Sequence, residues 1–312
     1  MGFGDFKKNI PLAPYTSLRI GGPAEYFFEA KNKDALREAL LLAKKENIPI
    51  TILGGGQNVL IRDKGIRGLV IAMRMKHITI EDKKVYAEAG VVIGEALSKT
   101  VAAGLAGLEW AGGLPGTIGG AVFGNAGTFG HAFGEFVTYV EVLRDDFTFQ
   151  KVSQEKCTFE YRTSAFKSTR KSDVIVGAEL LLVKGDPTVL QKNLRERIQW
   201  RTAHHPPYQS AGCIFKNPAE QHYHKVSLDV IEERRPVEWF GRVPSGWLID
   251  RAGLKGLRVG GAKVSEVHAN FVMNDQNATA EDIIMLISII KERVHRKFGV
   301  LLQEEVQYLG FQ

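Results

Sequence analysis

Two glycine-dense, uncharged segments are the clearest candidates for chemistry in this chain. The first glycine segment, Leu53–Leu60, holds Gly54, Gly55 and Gly56 after an apolar run, and the second, Trp110–Gly130, holds eight glycines. Each glycine costs about 1 kcal/mol relative to alanine inside a helix, so we expect the second segment to be irregular. Glycine is useful where the backbone must approach a ligand closely and present its N–H groups. Both segments therefore predict a site for a phosphate-bearing cofactor.

Neither glycine segment matches the common nucleotide-binding motifs. In the first, Val59 stands where the third glycine of G-x-G-x-x-G would fall, and in the second Gly113, Gly116 and Gly119 are spaced by three. No Gly-Lys-Ser/Thr follows either segment, so a Walker P-loop is missing as well. Tight turns in a compact domain are the structural alternative, which the presence of two such segments makes less favourable.

Composition limits the class of protein. The chain has 312 residues, 44% of them hydrophobic, and a formal net charge of +6, as expected for a globular protein of about two domains. Its basic residues are dispersed, which disfavours a nucleic-acid partner, while the positive charge favours an anionic small-molecule substrate. We expect a cytoplasmic location, because the N-terminus lacks a signal peptide's apolar core. We expect no membrane insertion, because the eight glycines, Pro115 and Asn125 argue against a membrane span at Trp110–Gly130. Cys157 and Cys213 fit no metal spacing, and neither is expected in a structural disulfide.

Helices and strands are predicted to position the glycine segments. Apolar residues recur with a helical period over Asp34–Glu46, and Ile48–Leu53 forms a strand that ends at Gly54. Gly68–Met73 completes a β-α-β unit with the glycines at a strand's carboxyl end. The further predicted elements are strands at Ile78–Glu81 and Lys84–Ala89, a helix at Gly94–Ala103, strands at Phe136–Leu143, Phe147–Val152 and Asp173–Val183, and helices at Pro187–Thr202 and near Gly246–Ala252.

The C-terminal part is predicted as a separate domain. The pair Pro206-Pro207 marks a boundary, and the adjacent His204-His205 are linker residues without a third metal ligand. A final helix begins at a capping box of Thr279 and Asp282, and a closing strand follows at Val300–Leu309. The expected domains are residues 1–185, with subdomains of about 1–75 and 76–185, and residues 186–312, whose last strand returns to the active site.

The two glycine segments together resemble the two-part FAD cradle of vanillyl-alcohol-oxidase-type flavoproteins. Further motifs make the chain similar to the MurB family over nearly its whole length, and the short stretch from Arg201 to Gly212 resembles the family's second type. These motifs, in family order, are Thr16–Gly22, Tyr161–Lys167, Ser210–Pro218, Trp247–Asp250 and Glu305-Val306. The resemblance implies an α+β fold, in which an FAD-binding PCMH-type domain of two subdomains precedes an α+β substrate-binding domain.

The resemblance also implies a reaction and its cofactors. The family reduces the enolpyruvyl ether of a UDP-sugar in peptidoglycan precursor synthesis, with NADPH as hydride donor and FAD holding the electrons between the two reductions. No metal is expected. The implied FAD-binding residues are Gly54, Gly55, Gly56, Gln57, Asn58, Val59, Leu60, Gly113, Gly116, Thr117, Gly119, Gly120 and Asn125, with Asn125 nearer the flavin.

Catalytic and substrate-binding residues follow from the same resemblance. Arg162 would stabilise the negative charge next to the substrate carboxylate, because a guanidinium grips a carboxylate in two places and keeps its charge. Glu305 would polarise the intermediate or assist proton transfer, while Glu304 would point to the other face of the predicted strand. The implied substrate-binding residues are Lys216 and Asn217, and His268 and Asn270 are weaker candidates, because a histidine beside an apolar strand is more often a core residue.

Cys213 departs from the family pattern, which usually has serine as the proton donor at this position. A thiol, with a reference pKa of about 8.5, is a stronger acid than a serine hydroxyl. It can therefore donate the proton, and it leaves a thiolate that is open to oxidation or alkylation. A small residue that merely fills a turn is the structural alternative.

Other interpretations stay open at the level of the sequence. The chain could be another FAD oxidoreductase of this fold that acts on a small alcohol or acid, or a ligand-binding member whose chemistry has lapsed. The charged stretch Ala219–Pro244 is longer than expected and could be a lid, an oligomer contact or a tolerated insertion. The residues leave open the oligomeric state and the preference between NADPH and NADH.

Overall fold

A computed structural model describes residues 2–219 and 241–311, so most of the stretch Ala219–Pro244 lies outside the described residues. The α-helices of the described part are α1 (Lys33–Lys45), α2 (Ile93–Ala102), α3 (Ile118–Gly124), α4 (Pro187–His204), α5 (Ser245–Arg251) and α6 (Ala280–Phe298). Short 3₁₀ turns lie at Phe3–Asp5, Ala13–Tyr15, Glu109–Ala111, Phe133–Glu135, Gln154–Cys157 and Ala165–Lys167.

The described strands are short and numerous. Those of the first half are β1 (Lys7–Pro11), β2 (Pro23–Ala30), β3 (Ile50–Leu53), β4 (Val59–Ile61), β5 (Ile66–Met73), β6 (Ile78–Glu81), β7 (Lys84–Glu88), β8 (Leu105–Ala106), β9 (Gly127–Thr128), β10 (His131–Ala132) and β11 (Val137–Leu143). Those of the second half are β12 (Phe149–Ser153), β13 (Val174–Leu181), β14 (Val183–Lys184), β15 (Ser210–Cys213), β16 (Arg258–Val259), β17 (Ala262–Val264), β18 (Phe271–Asn274) and β19 (Gln307–Leu309).

The chain divides into two compact units at positions other than the expected 1–185 and 186–312. The first unit comprises the residues up to Ile10, Ala24–Gly56 and Arg67–Ala203, and the second comprises Pro11–Pro23, Gln57–Ile66 and the described residues from His204 onwards. The reason is packing. Leu190 and Leu194 of α4 lie in the first hydrophobic core, whereas Leu18, Ile20 and Leu60 lie in the second.

The first unit contains two sheets that carry the first glycine segment and frame the second. One has the strand order β1-β2-β5-β3, and in it β3 runs parallel to β5 with Ile50 opposite Leu69 and Leu53 opposite Ala72. The other is antiparallel, in the order β12-β11-β13-β7-β6. Helix α1 begins where the Asn32 side chain accepts a hydrogen bond from the Ala35 backbone N–H, as an N-cap does. Strand β3 begins two residues later than predicted and ends at Leu53, so the predicted strand before Gly54 is confirmed.

The expectation that the second glycine segment is irregular throughout is wrong over Ile118–Gly124, which forms α3. Thr117 caps this helix, because its hydroxyl accepts from the Gly120 N–H at 3.4 Å. The C-terminal end is closed by Asn125 in the left-handed conformation. Capping at both ends and the burial of Ile118 and Val122 offset the low helix propensity of the glycines.

The second unit is built on an antiparallel sheet of order β15-β18-β17-β16 and a parallel pair of β19 with β4. Helix α6 packs its apolar residues into this unit's core, with Ile283, Leu286, Ile287 and Ile290 buried. No helix in the described residues is both long enough and apolar enough to span a bilayer.

The predicted closing strand Val300–Leu309 is wrong over most of its length. Only Gln307–Leu309 forms a strand, and Glu304 makes an isolated bridge to Phe215. Residues 303 and 305 do bond to a neighbouring segment, because Lys216 N–H donates to Gln303 O and Glu305 N–H donates to Ile214 O. These contacts are too few to form a continuous ladder.

The capping box of α6 gives a prediction about stability and pH. Asp282 accepts from the Thr279 backbone N–H at 2.9 Å, and this bond holds the pKa of Asp282 below its ordinary value. A carboxyl group with a lowered folded-state pKa stabilises the fold above its unfolded pKa and loses that contribution as the pH falls through the folded one. We expect Asp282→Asn to lower the free energy of unfolding by about 1 kcal/mol at neutral pH.

Urea denaturation at neutral and at strongly acidic pH would measure the effect. The deficit should shrink in acid, where the wild-type carboxyl group is itself protonated. Glu281→Gln is the matched control, because Glu281 is exposed in the same helical turn and its side chain makes no hydrogen bond or ion pair with a described residue. Equal losses in the two variants, or a deficit that does not change with pH, would contradict this account of the cap.

Candidate functional site

The two glycine segments meet at the end of β3. A Cβ atom added to Gly54 would lie 3.0 Å from Oγ1 of Thr117, and one added to Gly55 would lie 3.3 Å from Cα of Gly116. Both distances are shorter than ordinary van der Waals contacts, so a side chain at either position would have to displace its neighbour. Glycine therefore allows the backbones to approach, and the two halves of the expected cradle lie against each other within the first unit.

Two neighbouring glycines of α3 play different parts. A Cβ on Gly119 would lie 2.7 Å from Cβ of Ala89, so its absence lets the helix pack closely against the chain that follows β7. Gly120 is exposed, and the atom nearest to an added Cβ there is the Thr117 hydroxyl at 3.6 Å. Gly54 and Gly55 thus offer backbone groups that no side chain of their own covers, which fits the phosphates of a dinucleotide such as FAD.

The other predicted FAD ligands of the first glycine segment lead into the second unit. Gly56 has a φ of +65°. The Gln57 carbonyl accepts from Ser17 Oγ at 3.3 Å, and the Asn58 amide donates to the Glu305 carbonyl at 3.1 Å. Val59 and Leu60 belong to β4, and the Leu60 side chain is fully buried in the core. Any contact of Leu60 with a cofactor would therefore come from its backbone.

Asn125 connects α3 to the segment that carries Arg162. Its side-chain amide donates to the Glu160 carbonyl at 2.8 Å, and its Oδ1 accepts from the Gly134 N–H at 2.9 Å. Nearby, the Ser164 hydroxyl donates to the Phe123 carbonyl at 2.7 Å. The C-terminal end of α3 is therefore bonded to both flanks of the Tyr161–Arg162 turn. The amide nitrogen and the oxygen of the Asn125 side chain are each bonded to the protein backbone.

Arg162 occupies a tight turn. Glu160 and Thr163 exchange two backbone hydrogen bonds of 3.2 Å around the pair Tyr161–Arg162. Arg162 has a φ of +57°, a left-handed conformation that is uncommon for a residue with a side chain. The Lys167 ammonium donates to the Arg162 carbonyl at 3.0 Å, and the guanidinium lies 5.1 Å from the centre of the Tyr161 ring. This strained placement is typical of a functional position.

Cys213 ends β15 in the second unit, next to a bulge. Ser210 pairs with Met273 and Cys213 with Phe271, with a register shift between them at Gly212, whose φ is +75°. Cys213 is half-buried, whereas Cys157 is fully buried, and burial raises the pKa of the Cys157 thiol to about 11. Cys157 therefore stays protonated and inert, and Cys213 is the thiol with access to solvent.

Asn270 fixes the backbone that follows Cys213. Its carbonyl accepts from the Ile214 N–H at 2.8 Å, while its side chain accepts from Phe215 N–H at 3.0 Å and donates to Phe215 O at 2.9 Å. Asn270 is only 2% exposed, so these bonds are shielded from water. The sequence made it a weaker candidate, because a lone buried asparagine carries no spacing signal.

Glu305 lies on the other side of the same segment. Its backbone N–H donates to Ile214 O at 2.7 Å, which places its backbone beside that of the residue after Cys213. The adjacent Glu304 accepts a hydrogen bond from Lys291 Nζ at 2.8 Å. Glu304 is thus committed to an ion pair within the protein.

Ser245 holds the turn of Lys216 and Asn217. Its hydroxyl donates to Lys216 O at 2.6 Å, and its backbone N–H donates to Asn217 Oδ1 at 3.0 Å. Ser245 is fully buried, and nothing in the sequence marked it. The Lys216 ammonium makes no hydrogen bond or ion pair with any residue in the described ranges, so it can meet an anionic ligand.

His268 is neutral in this environment. Burial lowers its pKa below the ordinary value of imidazole, and Nδ1 accepts from the Asn270 N–H at 3.2 Å. The proton of the neutral ring is therefore on Nε2, which leaves a hydrogen-bond donor rather than a charge. No group of three or more His, Cys, Asp or Glu side chains in residues 2–219 and 241–311 could hold a metal ion.

Comparison with known proteins agrees with the glycine cradle. An FAD binding domain family model matches residues 24–153, which include both glycine segments. The cradle and this match define the chain as an FAD-binding flavoprotein. A second model, the C-terminal domain of UDP-N-acetylenolpyruvoylglucosamine reductase, matches residues 204–309 and contains Cys213, Lys216, His268 and Glu305.

The chain belongs to the UDP-N-acetylenolpyruvoylglucosamine reductase family, and it is an FAD-dependent oxidoreductase. It is 36% identical over 310 residues to the reductase of Anoxybacillus flavithermus, covering 98% of this chain and 95% of that protein. It is 38% identical to the reductase of Rubrobacter xylanophilus, with 97% and 95% covered. The crystal structure of the reductase (MurB) from Thermus caldophilus aligns with a TM-score of 0.77 at 29% identity, with 97% and 99% covered. The resemblance, the α+β fold and the cofactor expected from the sequence are confirmed.

The contact between the glycine segments predicts the outcome of a methyl insertion. We expect Gly55→Ala to weaken FAD binding about ten-fold, because the added Cβ would push the first segment away from Gly116. Titration of the apoprotein with FAD, followed by flavin fluorescence, would measure the dissociation constant. Gly94→Ala is the control, since a Cβ at this exposed position of α2 meets nothing within 4 Å. Wild-type FAD affinity in Gly55→Ala would show that the approach of the two segments does not shape the cradle.

Proposed function

We propose that the chain reduces UDP-N-acetylenolpyruvoylglucosamine to UDP-N-acetylmuramate in peptidoglycan precursor synthesis, with NADPH as the hydride donor. The observation that carries this proposal is the full-length similarity to reductases of that name, at 36% identity over 98% of the chain. The Lys216 ammonium and the Arg162 guanidinium agree with it, because the substrate has a diphosphate and a carboxylate. We also propose a cytoplasmic location, which suits NADPH and two cysteines that form no disulfide.

Gly54, Gly55 and Gly116 would hold the FAD pyrophosphate through backbone N–H groups, and Gly120, whose N–H is bonded to the Thr117 hydroxyl, would lie beside it. When bound there, FAD would supply the hydride transfer from NADPH to the vinyl carbon of the substrate, which side chains cannot perform. The remaining cofactor residues proposed from the family pattern are Gly56, Gln57, Asn58, Val59, Leu60, Gly113, Thr117, Gly119 and Asn125.

Arg162 stabilises the negative charge that hydride addition places next to the substrate carboxylate. A guanidinium keeps its charge at any physiological pH and presents paired N–H donors that match a carboxylate. The turn that holds Arg162 is fixed by the Glu160–Thr163 hydrogen bonds and by Lys167. The donor group is therefore oriented before the charge develops, which is the source of electrostatic catalysis.

Cys213 donates the proton that completes the reduction. Hydride addition to one vinyl carbon leaves a pair of electrons on the other, and the Sγ–H proton of Cys213 is transferred there, leaving a thiolate. Solvent then returns a proton to the sulfur. Glu305 assists by polarising the charged intermediate, and its backbone bond to Ile214 keeps it beside the Cys213 segment. Lys216, Asn217 and neutral His268 bind the substrate.

Assay of the purified chain with added FAD tests the proposed function. The protein should be yellow and should oxidise NADPH rapidly only when UDP-N-acetylenolpyruvoylglucosamine is present, with UDP-N-acetylmuramate as the product. Oxidation of a small alcohol or acid instead would favour a different oxidoreductase of this fold. A protein that stays colourless with FAD would favour a ligand-binding member without activity.

Substitution of Cys213 separates the two reductions. We expect Cys213→Ala to keep reduction of the flavin by NADPH, because no proton from Cys213 is needed there, and to slow reoxidation by the enolpyruvyl substrate at least 100-fold. Stopped-flow absorbance of the flavin measures both steps. Cys213→Ser, which restores the family's usual residue, is the control and should retain turnover. Wild-type turnover in Cys213→Ala would exclude Cys213 as the proton donor.

A further inference from the structure

The last two turns of α4 surround the ring of Phe129. The Arg197 guanidinium lies 4.5 Å from the ring centre and that of Arg201 lies 5.7 Å away, while the Trp200 ring meets Phe129 edge-on with centroids 4.9 Å apart. Phe129 has a φ of +53°, a conformation that needs support from its surroundings. These contacts tie the C-terminal end of the second glycine segment to α4.

The same helix also holds the N-terminal end of the second glycine segment. A Cβ on Gly112 would lie 2.9 Å from Cβ of Arg197, and one on Gly113, where φ is +73°, would lie 2.9 Å from Cδ of Arg201. The Arg201 Nε–H donates to the Gly112 carbonyl at 2.7 Å. Gly112 and Gly113 are therefore glycines because α4 packs against them. The predicted role of Gly113 as a cofactor ligand stays a separate prediction.

We propose that Arg201 is a positioning residue for the FAD cradle. It touches the second glycine segment at Gly112–Gly113 and again at Phe129, and the cradle residues Gly116 and Gly120 lie between these two points in the chain. Because both ends of the second glycine segment are held, its loop and α3 stay in the position where they contact the first glycine segment. The proposal rests on FAD as the cofactor and does not depend on which substrate is reduced.

Arginine is needed at this position for geometric reasons. Arg201 is 7% exposed, so its charge is mostly withdrawn from water, and the hydrogen bond from Nε runs to a backbone carbonyl in a shielded place. Only an arginine side chain combines an Nε–H donor with a planar guanidinium group that lies over an aromatic ring. A lysine would keep the charge but lose both the Nε–H donor and the flat face.

Arg201→Lys tests the proposal, with Arg195→Lys as the matched control. Arg195 is exposed on the same helix, and its side chain makes no hydrogen bond or ion pair with a described residue. The dissociation constant for FAD is measured by titrating each folded apoprotein, and thermal unfolding of the apoproteins is followed by circular dichroism. We expect the FAD dissociation constant to rise roughly ten-fold or more in Arg201→Lys and to stay unchanged in Arg195→Lys.

A merely structural role for Arg201 gives a different result. It would lower the unfolding temperature of the apoprotein while the folded protein bound FAD with wild-type affinity, and that result would overturn the proposal. A second variant, Phe129→Leu, keeps the apolar volume and removes the aromatic face. Combined with Arg201→Lys, it should weaken FAD binding by less than the product of the two single effects, because both act on one contact. Independent effects that multiply would also contradict the proposal.

Discussion

The approach of Gly54–Gly55 to Gly116–Thr117 is the contact on which the arrangement of the first unit depends. Its closeness, with a hypothetical Cβ of Gly55 only 3.3 Å from Gly116, fixes the end of β3 against the start of α3. Helix α3 has seven residues, so it spans about 10 Å at the standard rise per residue. At its far end, Asn125 bonds to Glu160 and so sets the position of the Arg162 turn relative to the cradle. One short helix therefore relates the cofactor residues to the residue proposed to stabilise charge.

In the second unit, backbone hydrogen bonds hold the segment that carries the proposed catalytic residues. The segment that follows Cys213 is bonded on one edge to Asn270 and on the other to residues 303 and 305. Its carboxyl end is then held by buried Ser245, which bonds to both Lys216 and Asn217. The residues proposed as proton donor, acid and substrate-binding cation thus lie on a backbone with little freedom, which would lower the cost of ordering them during a reaction. The side chains of Asn270 and Ser245 hold this segment through hydrogen bonds to its backbone.

Local signals in the sequence were enough for the elements with strong periodicity. Helix α1, the hairpin of β6 and β7, and the capping box of α6 lie within two residues of their predicted positions, because each is specified by its own side chains. The helix at Ile118–Gly124 was missed, since its stability comes from caps and from packing against Ala89. The strand at Val300–Leu309 was predicted too long, because its pairing partner is a distant segment. Ser245 gave no signal and Asn270 only a weak one, because their value depends on contacts between distant parts of the chain.

The central claim is that the two glycine segments act together to hold the cofactor's phosphates. A crystal structure of the chain with bound FAD tests it most directly. We expect the pyrophosphate to lie within hydrogen-bond distance of backbone N–H groups from both segments, including Gly54 or Gly55 from the first and Gly116 from the second. A pyrophosphate held by one segment alone, or by side chains away from both, would contradict it.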